Sequence, residues 1–310
     1  MLNPPPMAWE LARSDPCEID PTPIVIAAQL RYAGARFSFR GGVKLMQPGP
    51  DAVGIRGVMP PYNQPEPLSA EAHGQLTLKR IDRPFAFMGK LHLSPLSIGE
   101  FGFATSSFPI IFLGDSKAPA AVMGARTEEN VFITPDGELD PEVYVPTFVR
   151  QYPFVFANDP ANDRLVVCID RQAPMLGVGG EVPLFENGQP TQYTQNAIEM
   201  LKEVERQRRM TLEFVRVMQD LDLFETKTIT FQPTDDKGAT SGEPQKVAEF
   251  FQVSEKKLNE LSTDAYLRLR DRGAIPAIYA HLLSQMHWSK IINRVIRRAM
   301  AAQPAAAQMN

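Results

Sequence analysis

The chain has 310 residues, 44% of them hydrophobic and 22% charged, with a formal net charge of −4. This is the composition of an ordinary globular protein, and its acidic balance argues against a dedicated nucleic-acid binder, which needs an excess of Lys and Arg to neutralise phosphates. Two cysteines are too few for a disulfide framework, and no apolar run reaches the ~18 residues of a membrane span.

Residues 1–65 are dense in Pro and Gly and read as an irregular extension, with PIVIAAQLRYAG and ARFSFR as its only strand-like pieces. Ile24, Val25, Ile26 and Phe37 are the apolar residues by which it would pack on the rest. The opening MLNPPPMAWELARSDP lacks the basic flank and apolar core of a secretory signal, so the expected compartment is the cytoplasm. The main domain is expected over 66–300, and a disordered tail over 301–310.

Within the main domain one message is written twice. A short helical segment, PLSIGEFGFATSS or DPEVYVPTFVRQ, precedes an aromatic-Pro-apolar strand, FPIIF from Phe108 or YPFVF from Tyr152. Proline biases the residue before it away from helix, so Phe108 and Tyr152 are places for a helix to stop and a strand to begin. A polar turn follows, then a second strand, AAVMGAR or LVVCIDR, and then an apolar stub closed by Asp-Gly or Asn-Gly, NVFITPDG or VPLFENG. The expected fold class is α+β: a largely antiparallel sheet from these two tandem helix-strand-strand-strand units, covered by a long helix and by C-terminal helices.

Helical periodicity takes over beyond residue 190. Thr191 or Thr194 opens a helix to about Leu223, with Ile198, Leu201, Val204, Leu212, Val215 and Met218 as its apolar stripe and Glu205 with Arg209 on a solvated face. TKTITFQ and KVAEFFQV form a hairpin around a polar tip. Ser254 and then Ser262 or Thr263 open two short helices, Gly273 ends the second, and Pro276 stands in the first turn of the last helix.

Chemical motifs are sparse. His281 and His287, six apart on one helix, do not converge on a metal, and there is no His-Glu-x-x-His, Cys-x-x-Cys, P-loop or Gly-x-Ser-x-Gly pattern. No metal and no cofactor is therefore expected, and Cys168, inside LVVCI, reads as a small buried hydrophobe. Candidate contact residues are the aromatic-proline edges Phe108, Pro109, Tyr152 and Pro153, if they are exposed; the same residues also fit core strands. His73 and His92, with the turn carboxylates Asp115, Asp136, Asp159, Asp163 and Asp170, are the residues from which a pocket would be built. Lys290, Arg294, Arg297 and Arg298 with Trp288 could favour an anionic surface, but compensation of the helix dipole suffices to explain them.

PLSAEAHGQLTL, PLSIGEF, FPIIF, YVPTFVRQYPFVF, LVVCIDR, LFENGQPT, the helix with EVERQR, LNELSTDAYLRL and IYAHLLS, in this order over about 66–292, resemble the SapC family. The family takes its name from a protein associated with a paracrystalline bacterial surface layer and supplies no catalytic residues to carry over. The resemblance implies a non-enzymatic binding or assembly protein linked to cell-surface or envelope systems, with a protein partner. The alternative is an intracellular enzyme or enzyme accessory acting on a peptide or small metabolite. Residues 1–65 depart from the family pattern, and the lack of a signal-like N-terminus stands against a literal surface-layer role.

Overall fold

A computed structural model of the chain describes residues 60–159, 164–231 and 245–302, together with the backbone of Val25–Ile26. The expectations placed on Ile24, Phe37, Asp163, the hairpin tip and the last residues of the tail lie outside the described residues. In chain order the elements are β1 (Val25–Ile26), β2 (Pro65–Pro67), α1 (Ala70–His73), β3 (Thr77–Leu78), β4 (Leu93–Pro95), α2 (Phe101–Ala104), β5 (Ile110–Leu113) and β6 (Ala118–Val122). Next come α3 (Thr147–Arg150), β7 (Phe154–Asp159), β8 (Arg164–Asp170), β9 (Leu176–Gly177), β10 (Val182–Pro183), β11 (Phe185–Glu186), β12 (Gln189–Pro190) and α4 (Gln192–Asp220). The chain continues with β13 (Phe224–Phe231), β14 (Gln245–Val253), α5 (Glu255–Asn259), α6 (Thr263–Asp271), α7 (Ile275–Ser284) and α8 (Trp288–Ala302). The class is α+β with antiparallel pairing throughout the described strands.

Backbone contacts divide the chain into two units, residues 1–87 with 147–206 and residues 88–146 with 207–310. In the first unit β8 is the central strand. It pairs along one edge with β7, from Phe154↔Ile169 to Asp159↔Arg164, and on the other with β1 at Val166 and Leu165 and with β2 from Cys168 to Asp170. A second sheet runs β10-β3-β9, and β11 and β12 form a hairpin. That hairpin turns at Asn187 and Gly188, whose φ values of 51° and 76° give the two left-handed positions of a tight turn with the twist of its strands. Leu68, Leu76, Phe154, Val167, Ile169 and Leu184 pack with Ala197, Ile198 and Leu201 from the start of α4. The start is set by Thr191, whose carbonyl accepts from Gln195 N (2.9 Å). Thr194 anchors the first turn by donating its hydroxyl to the Leu184 carbonyl (2.7 Å).

The second unit is built on a five-stranded sheet in the order β13-β14-β5-β6-β4. Its interior is aromatic: Phe112 packs edge-on to Phe224 (4.9 Å between centroids), and Phe101 edge-on to Phe214 (6.1 Å). Ser262 caps α6 by accepting from Ala265 N, and Gly273 (φ 65°) ends it.

In the structure α2 leads into the hairpin β5–β6 and α3 into β7–β8. The two hairpins do not share a sheet, however. The first lies in the five-stranded sheet of the second unit and the second in the β8-centred sheet of the first. The first hairpin is flanked on both sides, by β14 on β5 and by β4 on β6, so it has no edge left for the second, whose β8 is taken on its far side by β1 and β2. The third strands also differ: residues 130–137 make only the bridge Ile133↔Leu139, whereas VPLFENG contributes β10 and β11. On α4 the expected stripe fails at Leu212, which is exposed; the inward positions are Phe214, Val215, Val217 and Met218. Glu205, expected on a solvated face, is buried.

Candidate functional site

The aromatic-proline residues form no exposed edge. Phe108 is fully buried, with its ring edge-on to Phe132 (5.0 Å), and Pro109, Tyr152 and Pro153 are buried too. In the first unit Tyr152 stacks on Phe87 (4.4 Å) and donates its hydroxyl to Asp170 Oδ2 (3.0 Å). The Asp170 carboxylate also accepts from the backbone N–H of Asn63 (3.0 Å), Gln64 (2.8 Å) and Gln172 (3.2 Å). Tyr62, on the segment so held, donates its hydroxyl to the Phe154 carbonyl (2.8 Å) and accepts from Gln151 Nε2 (3.1 Å). Burial pushes both phenols well above the ordinary tyrosine range, with the Asp170 charge adding to the effect. A buried carboxylate filled by backbone donors, facing phenols held protonated, fastens residues 62–64 to β8 rather than relaying protons.

The histidines are separately accounted for. His73, in the first unit, is buried in α1; its Nδ1 accepts from Ser69 N (3.1 Å), so Nε2–H donates to Glu66 Oε1 (2.8 Å). His92, in the second unit, is half-buried, and burial holds its imidazole below the ordinary histidine range. Asp115 and Asp136 are exposed turn residues. Among the described residues no group of three His, Cys, Asp or Glu is placed to hold a metal ion. Burial raises the Cys168 thiol to about 12, so it stays un-ionised at neutral pH.

The residue that sequence reading missed is His281, fully buried in the second unit. The β14–β5 ladder pairs Phe251 with Phe112, which sets Val253 opposite Ile110 two residues on. There the imidazole bridges the strands: Nε2 accepts from Val253 N (3.0 Å) and Nδ1–H donates to the Ile110 carbonyl (2.9 Å). Ser284 completes the seam by accepting from Ile110 N (2.9 Å) and donating to the His281 carbonyl (2.6 Å), while Gln285 Nε2 donates to the Ile110 carbonyl (2.7 Å). Burial lowers the His281 imidazole to about 4, so the ring is neutral and can both accept and donate. His281, Ser284 and Gln285 thus bolt the inner face of α7 to β5 and β14. No local sequence signal marks this role, because its partners lie far away in the chain.

The opposite face of α7 is uncovered. Pro276, Tyr279 (41%) and Leu283 (56%) are exposed at i, i+3 and i+7 along α7, and Met286 (67%) continues the row in the 3₁₀ turn Gln285–His287, which interrupts the single last helix expected and joins α7 to α8. Next to it, Thr105 donates its hydroxyl to the Ala280 carbonyl (2.8 Å) and its carbonyl accepts from His287 Nε2 (2.7 Å), fixing α2 against α7. Phe103 of α2 is itself 54% exposed.

The C-terminal cations are mostly engaged within the unit. Arg294 pairs with Asp140, donates to the Val131 carbonyl (3.3 Å) and lies 4.7 Å over the Phe132 ring. Arg298 donates to the carbonyls of Asn130 (2.8 Å) and Ile133. Trp288 is buried and stacks on Phe250 (5.2 Å). Arg297 is exposed and Lys290 half-buried.

The chain thus forms two α+β units, and in the second the outward face of α7 is apolar and exposed. The SapC family model matches residues 68–291, and the chain belongs to the SapC family. No curated protein and no solved structure matches the chain. No helix among the described residues is long and apolar enough to cross a membrane.

Proposed function

We propose that the protein is a non-enzymatic binding or assembly protein of cell-surface or envelope-associated systems, and that it works through the outward face of α7. The observation that carries this is the row Pro276, Tyr279, Leu283 and Met286 in water on a helix whose other face is bolted down by His281, Ser284 and Gln285. Scattered exposed apolar residues need no explanation, but an aligned row on a rigid support is the form in which helices present anchors to a partner. The buried polar groups His73, His281 and Asp170 support the same reading, since each is bound to backbone groups of its own unit. The link to the envelope comes from the family alone.

A photo-crosslinking side chain in place of Leu283, with an equivalent at the exposed Glu199 of α4 as control, tests this in the native cell. Adducts with an envelope component from position 283 and not from 199 are expected. No adduct above the control, together with a metabolite retained in stoichiometric amount by the purified chain, would overturn the reading.

A further inference from the structure

We propose that the outward face of α7 rests on an anionic lipid bilayer, the apolar row entering the headgroup region and the exposed Arg297 beyond it lying among the phosphates. This deepens the binding reading and rests on it for the choice of face. The row extends over about 15 Å of helix at 1.5 Å per residue, and it supplies a Tyr, a Leu and a Met, with Phe103 presented by the neighbouring α2. Beyond Met286 the exposed positions become Ser289, Asn293 and Arg297, so one side of the helical segment passes from apolar to hydroxyl, amide and guanidinium. That gradient matches the passage from acyl boundary to headgroup.

Charge points the same way. From Arg272 to Asn310 the sequence contains no Asp or Glu, whereas it holds Arg272, Lys290, Arg294, Arg297 and Arg298, in a chain whose net charge is −4. Arg272, Arg294 and Arg298 are tied to Glu213, Asp140 and loop carbonyls, and Lys290 lies 5.5 Å over the Phe132 ring, which leaves the exposed Arg297 to face an external anion. A row free of carboxylates avoids repulsion from an anionic surface that the rest of this acidic protein would feel.

Area decides against a protein groove as the occupant. Four side chains, each about half exposed, offer at most a few hundred Å², whereas a stable protein interface takes about 800 Å² from each partner. A bilayer needs no such area, because shallow insertion of a few side chains adds to an attraction of about 1 kcal/mol per Lys or Arg near the surface.

The test is flotation of the full chain with vesicles of phosphatidylglycerol and phosphatidylcholine against vesicles of phosphatidylcholine alone. Association with the anionic vesicles is expected, about tenfold weaker on the neutral ones and falling several-fold between about 50 mM and about 300 mM NaCl as screening shortens the electrostatic range. The double variant L283D/M286D should lose at least about tenfold and R297E a smaller factor, while L212D, an exposed position on α4, should bind as the wild type does. Unchanged circular dichroism would show that the variants are folded. Failure of the wild type to float with anionic vesicles, equal binding to both compositions, or an equal loss in L212D would overturn the inference. So would a wild-type dimer in light scattering that L283D/M286D dissociates, which would make a second copy the occupant. If flotation fails while the crosslinker at position 283 still traps a protein, the lipid inference falls and the binding reading stands.

Discussion

Protonation of His281 should unfasten the second unit, and the size of the effect follows from its geometry. The neutral ring accepts from Val253 N–H and donates to the Ile110 carbonyl; the imidazolium has no acceptor and would leave Val253 N–H unpaired in the core. An ordinary imidazole titrates near about 6.5, and this one is held down to about 4. Because the native value lies below the unfolded one, the unfolded chain takes up the proton first. The stabilisation is complete above about pH 6.5 and is lost as pH falls towards about 4, at about 1.4 kcal/mol per pH unit, or about 3 kcal/mol in all. The perturbation is H281Q, which does not titrate and at neutral pH should cost about 1–3 kcal/mol for the lost pairing. The assay is urea denaturation between pH 8 and 4, followed by fluorescence in a W9F background so that Trp288, stacked on Phe250, reports alone. The gap between wild type and H281Q should be widest above pH 7 and close towards pH 4. A gap constant across that window would refute the bridging role assigned to the neutral ring.

Other consequences are open to direct measurement. A Cβ on Gly124 would lie 1.7 Å from the Glu129 carbonyl oxygen, so Gly124→Ala should destabilise the second unit by at least about 3 kcal/mol, read as a lowered urea midpoint. Asp170→Ala removes the buried carboxylate that holds the N–H groups of Asn63 and Gln64 and the Tyr152 hydroxyl, and should cost about 1–3 kcal/mol, with amide exchange rising first at residues 62–67. Tyr62 and Tyr152 are raised in the fold, so their contribution is intact below about pH 10 and lost above it, where the unfolded phenols ionise first. Y152F should therefore show a shallower alkaline loss than wild type in thermal melts. Arg294→Ala frees Asp140 and the Val131 carbonyl, and should speed amide exchange over residues 130–140 by about tenfold while leaving that of β7 and β8 unchanged.

What the sequence determined by itself is local. Thr191 at the start of the long helix, Ser262 and Gly273 at the two ends of α6, Pro276 in the first turn of α7 and the Asn187–Gly188 turn were all legible, because capping and turn chemistry act within a few residues. So were the two hairpins that follow a short helix, and the burial of Cys168 in an apolar strand. The order and spacing of the sequence blocks also made the family recognisable, without naming a chemistry.

Tertiary structure alone decided which sheet each hairpin joins, because strand edges are satisfied by whichever partner the rest of the chain delivers: β14 for β5, and β1 with β2 for β8. It alone put Phe108, Pro109, Tyr152 and Pro153 inside, since an aromatic-proline strand reads the same whether its face meets solvent or a second layer. It alone turned His281 into a bridge between strands and left Tyr279, Leu283 and Met286 in water. An apolar helix records in its periodicity that it has faces, but which face finds a partner depends on packing between residues more than a hundred positions apart, and that information is not local.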